Sequence, residues 1–426
     1  LSDHAAAPSA PRAPGASIGL KRFAAGVLGY ASGLPFLLVL GTLAIWLREA
    51  GVGLAEIGLM SWASIAYSLK FIIAPFLDAY ALGPLGRALG RRRAWIFVLQ
   101  LGVSGGLALM AFCDPTVSLP VMAAACFAAA LFSAAQDAAI DGWRVDVAEA
   151  EQQGVLAAGY QLGYRLAVLT SGAGALFIAE GFGWNASYLA MAAIMLVVAA
   201  LTVLLIPPSA DREHARTEGS LLEAPVRDLI LLVTTIPLAI LCLIGLYRMP
   251  DLLAGVMAQA LYVDTGFSKA EIASVSKVFG VALTIGGAFL GGFLLTRLSM
   301  RAVLVIGIVA SSTTNLLFAT LHGVGHEIWM LALAICFDNV ASGIAGTALI
   351  AFMSKLAASE FSATRYAVLS SIYALPGHLV GGLSGYAVDA VGYGPYFIAT
   401  FLSGLPALLL CLRLPAERAP AKPAEA

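Results

Sequence analysis

Residues 118–142 read SLPVMAAACFAAALFSAAQDAAIDG. From Leu119 to Ala135 no residue is charged, and then Gln136, Asp137 and Asp141 arrive within little more than one helical turn. About 20 predominantly apolar residues span the hydrocarbon core of a bilayer as a helix. A carboxylate inside such a run is costly and normally faces a cavity or a bundle interior. The stretch therefore reads as a membrane-spanning helix with polar chemistry built into one face.

The rest of the chain repeats that pattern. Of 426 residues, 60% are hydrophobic and 12% charged, with mean hydropathy +0.90. A soluble domain carries about a quarter charged residues, so lipid must be the solvent for much of this surface. Twelve apolar segments are expected, at 23–47, 57–79, 95–113, 118–142, 155–181, 184–206, 236–262, 269–295, 302–321, 325–353, 363–388 and 395–412. They divide into two six-helix bundles, 21–206 and 236–413, joined by a linker at 207–235. Residues 1–20 and 414–426 are rich in Ala and Pro and read as disordered tails. The five cysteines show no CxxC spacing and read as small packing residues rather than a metal site. Net charge −1 gives no footing for a nucleic-acid partner, and no HExxH or GxSxG motif suggests an enzyme. A membrane-embedded enzyme and a channel are the readings of other classes.

Basic residues set the expected orientation. Of the 24 Lys and Arg, eighteen lie in the segments that include both termini and the linker. The opposite set of loops holds only Arg48 and Lys269, and Lys70, Arg165, Arg248 and Lys277 fall inside spans. The positive-inside rule then places both termini in the cytoplasm. An even number of spans follows from the same asymmetry.

The halves look duplicated. Gly51-Val-Gly-Leu-Ala-Glu-Ile57 opens segment two, and Gly266-Phe-Ser-Lys-Ala-Glu-Ile272 opens segment eight. Gly183-Trp184 and Tyr188 precede or begin segment six, as Gly392-Tyr393 and Tyr396 do segment twelve. Gln136-Asp137 in segment four pairs with Asp338-Asn339 in segment ten. A parallel duplication of six helices is the plan of major-facilitator transporters. Segments three, six, nine and twelve carry no internal charge, as expected of lipid-facing or supporting helices in that plan. The fold class expected is an all-α membrane protein with two pseudo-symmetric six-helix bundles.

Several stretches together resemble one family, the AmpG-type muropeptide permeases. They are Tyr30-Ala-Ser-Gly-Leu-Pro-Phe36 with Gly41-Thr-Leu43 and Trp46, and Tyr67-Ser-Leu-Lys-Phe71 with Pro75, Asp78 and Gly90-Arg-Arg-Arg93. Ser133–Asp141, Gly163-Tyr-Arg165, Leu246-Tyr-Arg248 with Asp251, Asp338-Asn339 and Phe361-Ser-Ala-Thr364 complete the match. The resemblance implies a bacterial inner-membrane permease. It would import N-acetylglucosaminyl-1,6-anhydro-N-acetylmuramyl peptides for cell-wall recycling, driven by the proton gradient. The same resemblance links transport to β-lactamase induction and antibiotic resistance. Some members carry two further C-terminal spans, from which this chain departs. Acetyl-coenzyme A transporters share the pattern of the fourth helix, so that cargo, or another amphiphile such as a siderophore, is the alternative. No cofactor is expected beyond the proton gradient, and the expected state is a monomer in a lipid bilayer.

The intramembrane polar residues are the site candidates. Asp137 and Asp141 share a helix face; they read either as proton carriers or as a helix-end lock, with Asp141 pairing Arg144. Gln136 suits sugar hydroxyls and acetamido groups, or serves as interhelical glue. Lys70 and Arg165, with Tyr164 beside it, contact either a substrate carboxylate or an internal acid. Arg248 and Asp251 lie three apart around Pro250, an intrahelical pair or a site that exchanges partners. Lys277 is placed to meet an anionic substrate. Asp338 is the second proton-carrier candidate, with Asn339 beside it for substrate or for bracing. Asp78 with Arg91, Arg92 and Arg93 reads as a gating latch or as topology signal alone. Gly33 and Pro35, Pro250 and Pro376 are hinge candidates. His378 reads as structural.

Overall fold

The computed structural model describes residues 17–68, 72–73, 76–77, 80–147, 153–208, 234–357 and 362–415. Most of the expected tails and linker lies outside them, as do Lys70 and Asp78. Among the described residues every regular element is helical. Nine helices among the described residues are long and apolar enough to cross a bilayer: Ile18–Glu49, Arg91–Phe112, Leu119–Arg144, Gly159–Leu205, Leu238–Asp264, Lys269–Arg297, Met300–Val324, Ile328–Leu356 and Tyr393–Leu412. The longest turns at Gly183, whose φ is 83°, so segments five and six both lie within it. Shorter helices at Leu54–Met60 and Ile65–Ser68, and at Ser362–Gly381 and Ser384–Val391, occupy the positions of segments two and eleven.

The repeat read from sequence appears in the backbone. Gly51 and Gly266 take φ of 83° and 91°, in the turns after segments one and seven. Gly183 and Gly392 take 83° and 80°, ahead of segments six and twelve. Only glycine enters this region without steric cost. Past the first pair, Gly53 and Ser268 stand at helix N-caps with Glu56 and Glu271 in the first turn. At Ser268 this is a full capping box, which satisfies two otherwise orphaned N–H groups.

Small residues set the helix spacing, because lipid supplies no hydrophobic force between helices and close backbone contact must supply the attraction. Segment one lies so near segment five that a Cβ on Gly29 would overlap the Tyr160 carbonyl, and one on Gly163 the Gly26 carbonyl. Gly33 belongs to this seam: its added Cβ would meet the Tyr164 carbonyl oxygen at 2.7 Å. Gly287 against Val340 and Gly343 against Thr284 make a similarly close approach of segments eight and ten in the second half.

The two ends of the molecule differ. The loops after the odd-numbered segments gather at one end, here the loop face; the end of segment six, the start of segment seven and the two ends of the described chain lie at the other, the terminal face. On the loop side one continuous core joins the first half to residues such as Leu261, Phe318, Ile335 and Phe397 of the second. On the terminal side the second half keeps a separate core, built on Tyr247, Leu304, Ala348 and Cys411. The halves are thus packed together at the loop face and have their own interiors at the terminal face. Segments one with seven, two with eleven and five with eight make most of the contacts between halves.

Candidate functional site

Segment seven breaks in its middle. Helix Leu238–Tyr247 ends at Arg248, which has φ −104° and ψ 7°, and helix Met249–Asp264 begins with Pro250 in its first turn. The break comes just before Pro250, which fits there because its missing N–H is one a helix start leaves unpaired anyway. Arg248 at the break reaches sideways: Nη1 donates to the Ser342 carbonyl at 2.9 Å and Nη2 to Ser342 Oγ at 2.9 Å. Nη1 also lies 2.9 Å from Asp251 Oδ2. Neither Asp251 oxygen receives a well-aligned hydrogen bond among the described residues, so this is a charge contact with acceptor capacity left over.

These residues open onto a cavity of about 330 Å³ between the halves. Segment five of the first half contributes Arg165, and segment one Leu37. Segments seven, eight and ten of the second contribute Arg248, Asp251, Lys277, Asp338 and Asn339. Six of the polar residues singled out from sequence therefore meet in one void, although 174 positions separate Arg165 from Asn339. Asp338 accepts from Thr314 at 3.2 Å and stands near the Arg248–Asp251 pair. Thr284 donates to Asn339 Oδ1 at 2.7 Å, while Asn339 Nδ2 donates to the Ile335 carbonyl at 2.9 Å. Lys277 donates to Gln259 Oε1 at 2.7 Å. Two carboxylates and three cations thus share one small polar space.

The remaining candidates lie elsewhere. Gln136 is fully buried, with neither amide atom hydrogen-bonded among the described residues. Asp137 sits among the phenols of Tyr67, Tyr160 and Tyr164, beside the cavity and not in its wall. Asp141 lies 3.4 Å from Arg144, whose guanidinium stacks over Tyr160 at 5.2 Å. At the terminal face Arg92 pairs with Asp146 at 3.0 Å and Arg93 donates to the Val203 carbonyl, both within the first half; Arg91 begins the same helix. Pro35 and Pro376 stand inside continuous helices. Segment one bends four to five residues beyond Pro35, at Val39 and Leu40. A larger groove, about 760 Å³, lies between segments two and four, but its walls are almost wholly apolar side chains such as Leu59, Trp62 and Phe127. It offers no chemistry comparable to the central cavity.

Three features escaped sequence reading. Gln259 and Ser342 complete the polar wall; neither is charged, so neither stood out among the many small polar residues of the spans. The third is a set of ion pairs across the halves at the loop face. Arg48 grips Asp264, with Nε–Oδ1 at 2.5 Å and Nη2–Oδ2 at 2.7 Å, and Tyr393 donates to the same carboxylate at 2.7 Å. Lys269 meets Glu49 at 2.5 Å and Glu180 at 3.9 Å, and Trp184 Nε1 donates to Glu49. A signal existed: Arg48 and Lys269 are the two basic residues of the base-poor loops.

A duplicated helical bundle, closed at one end over a charged central cavity, defines a secondary transporter of the membrane. The model of the Major Facilitator Superfamily matches residues 23–249 and 240–426, and the chain belongs to that superfamily. It is 34% identical to the anhydromuropeptide permease of Escherichia coli K12 over 389 residues, 91% of this chain and 78% of that one. A putative transporter, AmpG 4 of Rickettsia conorii, is 30% identical over 91% of this chain and 95% of its own. The fold agrees with solved transporters at low identity. A D-xylose–proton symporter superposes with TM-score 0.69 at 14% identity, covering 94% of this chain and 97% of that one.

Proposed function

We propose that this protein imports anhydro-muropeptides from the periplasm into the cytoplasm across the bacterial inner membrane, by proton-coupled alternating access. The observation that carries the reading is the central cavity, where Arg165 of one half faces Arg248, Asp251, Lys277 and Asp338 of the other. Groups held by opposite halves must separate or repartner when the halves rock, so a ligand between them senses which side is open. The relatives named as permeases of such wall fragments supply the cargo class. A sugar-peptide with both amide and charged groups matches a wall containing three cations, two carboxylates and several neutral donors.

Proton coupling is assigned to the acids around Arg248. Asp251 pairs with Arg248 and Asp338 stands near that pair, so a proton gained or lost by either acid changes the charge held between the halves. Asp137 with its ring of phenols is a second proton site on the first half. The terminal face, rich in arginine, faces the cytoplasm. Twelve spans in bundles 21–206 and 236–413, acting as a monomer, fit this scheme, and the arginines of 91–93 with Asp78 close the cytoplasmic side when the outer side opens. Induction of β-lactamase follows from delivery of the fragments and not from a separate activity.

Purified protein in liposomes tests the proposal. Labelled disaccharide anhydro-muropeptide should accumulate only with an inward proton gradient, and acetyl-coenzyme A should not compete. Gradient-independent equilibration would remove the coupling, and preferential uptake of acetyl-coenzyme A would replace the cargo.

A further inference from the structure

Lys277 is the most secluded charge of the cavity wall, with 8% of its surface exposed. Its stem crosses from the second half onto the first. A Cβ on Gly172 would come within 3.3 Å of Lys277 Cγ and Cδ, and one on Gly41 within 3.7 Å of Nζ. The ammonium is held by a neutral group, the Gln259 amide oxygen at 2.7 Å, and has no carboxylate partner among the described residues. Arg165, the cavity's cation from the other half, likewise shows no carboxylate partner among them. By contrast Arg248 in the same cavity, and Arg48 and Lys269 at the loop face, each hold an acid. A buried cation beside only neutral dipoles is costly unless an anion completes it.

We propose that Lys277 forms a carboxylate-receiving end of the cavity and that Gln259 is its specificity-determining residue. This rests on the transporter reading above. Gln259 aims the ammonium through an oxygen acceptor, yet as an amide it leaves the positive charge unspent. A glutamate of the same length would hold Lys277 equally well but neutralise it, and the attraction for an incoming carboxylate would go. The cavity thus selects ligands that present a free carboxylate at one end, while the Arg248–Asp251–Asp338 end carries no net positive charge with which to do so.

Counterflow exchange in liposomes, which needs no proton gradient, separates the two claims. The probes are the anhydro-muropeptide with free carboxylates and the same molecule with its carboxylates converted to methyl esters. The wild type should prefer the acid by about tenfold or more, the scale of one charge-assisted contact. Gln259→Glu should erase that preference by losing acid uptake while still exchanging the ester. Gln259→Met, which leaves Lys277 charged but unaimed, should raise the half-saturation concentration for the acid more than for the ester. Equal wild-type exchange of acid and ester overturns the proposal, as does a Gln259→Glu protein that keeps the preference. So does a Gln259→Met protein in which both probes weaken alike. Exchange of neither probe by the wild type would instead sink the transporter reading.

Discussion

Arg48 and Asp264 form a two-pronged ion pair between the halves, with N–O distances of 2.5 and 2.7 Å, at the loop face directly where segments one and seven end. Tyr393 donates to the same carboxylate, and the Lys269–Glu49 contact lies on the same face. Both pairs bind the first half to the second, so both must part for the cavity to open on that side. The continuous core beneath them and the divided cores at the terminal face describe one state of a rocking cycle, closed at the loop face.

Weakening this closure should shift the cycle. The side chains of Arg48 and Asp264 are 24% and 26% exposed, so solvent screening holds the pair to about 1 kcal/mol, or about fivefold in the open-to-closed ratio. Arg48→Ala and Asp264→Asn should each raise labelling of a cysteine placed at Ala258, in the cavity wall, by a membrane-impermeant maleimide added from the loop-face side. The double exchange Arg48→Asp with Asp264→Arg should return labelling toward the wild-type rate. Unchanged labelling in the single variants would show that the apolar core alone seals that face.

Arg165 is expected to bear on uptake and not on folding. Arg165→Ala should lower uptake of labelled muropeptide by at least about tenfold, the scale of a lost charge-assisted contact. The yield of monodisperse protein in detergent should stay the same. Normal uptake would reduce Arg165 to a packing charge.

The acids should separate coupling from binding. Asp338→Asn removes a titratable group and keeps the acceptor for Thr314. Gradient-driven accumulation should disappear, while counterflow exchange persists. Asp137→Asn is expected to impair accumulation as well. Full accumulation by both variants would place the proton path elsewhere.

Helix spacing makes a prediction about stability. An added Cβ at Gly163 would overlap the Gly26 carbonyl, whereas Gly105 has open space around that position. Gly163→Ala should therefore destabilise the protein by about 1–3 kcal/mol through overpacking, read as a lower midpoint in a thermal melt in detergent. Gly105→Ala should be neutral or slightly stabilising, since alanine is the better helix former. Equal midpoints for the two variants would mean that segments one and five are not in backbone contact.

The buried pair at the terminal face offers a contrast with Arg48–Asp264. Arg92 and Asp146 have side chains only 6% and 5% exposed. Removing Arg92, as in Arg92→Met, leaves the secluded Asp146 carboxylate without its cation and should cost about 3–5 kcal/mol. The double substitution Arg92→Met with Asp146→Leu should recover much of that loss, because the ion pair itself contributes little beyond two well-packed apolar groups. A double variant as unstable as the single one would show that each charge has its own further partners.

Much of this molecule was legible in one dimension. The run from Leu119 to Ala135, and others like it, announce membrane helices, because transfer into lipid is a sum over about 20 residues that needs no knowledge of neighbours. The Gly51/Gly266 and Gly183/Gly392 pairs mark the duplication and reappear as matching left-handed turns, since only glycine fits that backbone state. Charged residues deep inside the spans stand out in sequence as well, as their cost in lipid makes each conspicuous. Which of them meet was decided by tertiary structure alone. Arg165, Lys277 and Asp338 share a void while Gln136 and Asp137 stand outside its wall, because helix rotation and the glycine-set spacing between helices direct each side chain. Gln259, neutral and ordinary in sequence, and the grip of Arg48 on Asp264 emerge only when two distant helices are brought side by side. Partition into the membrane is a local property of a segment; an encounter between side chains belongs to the packing of the whole.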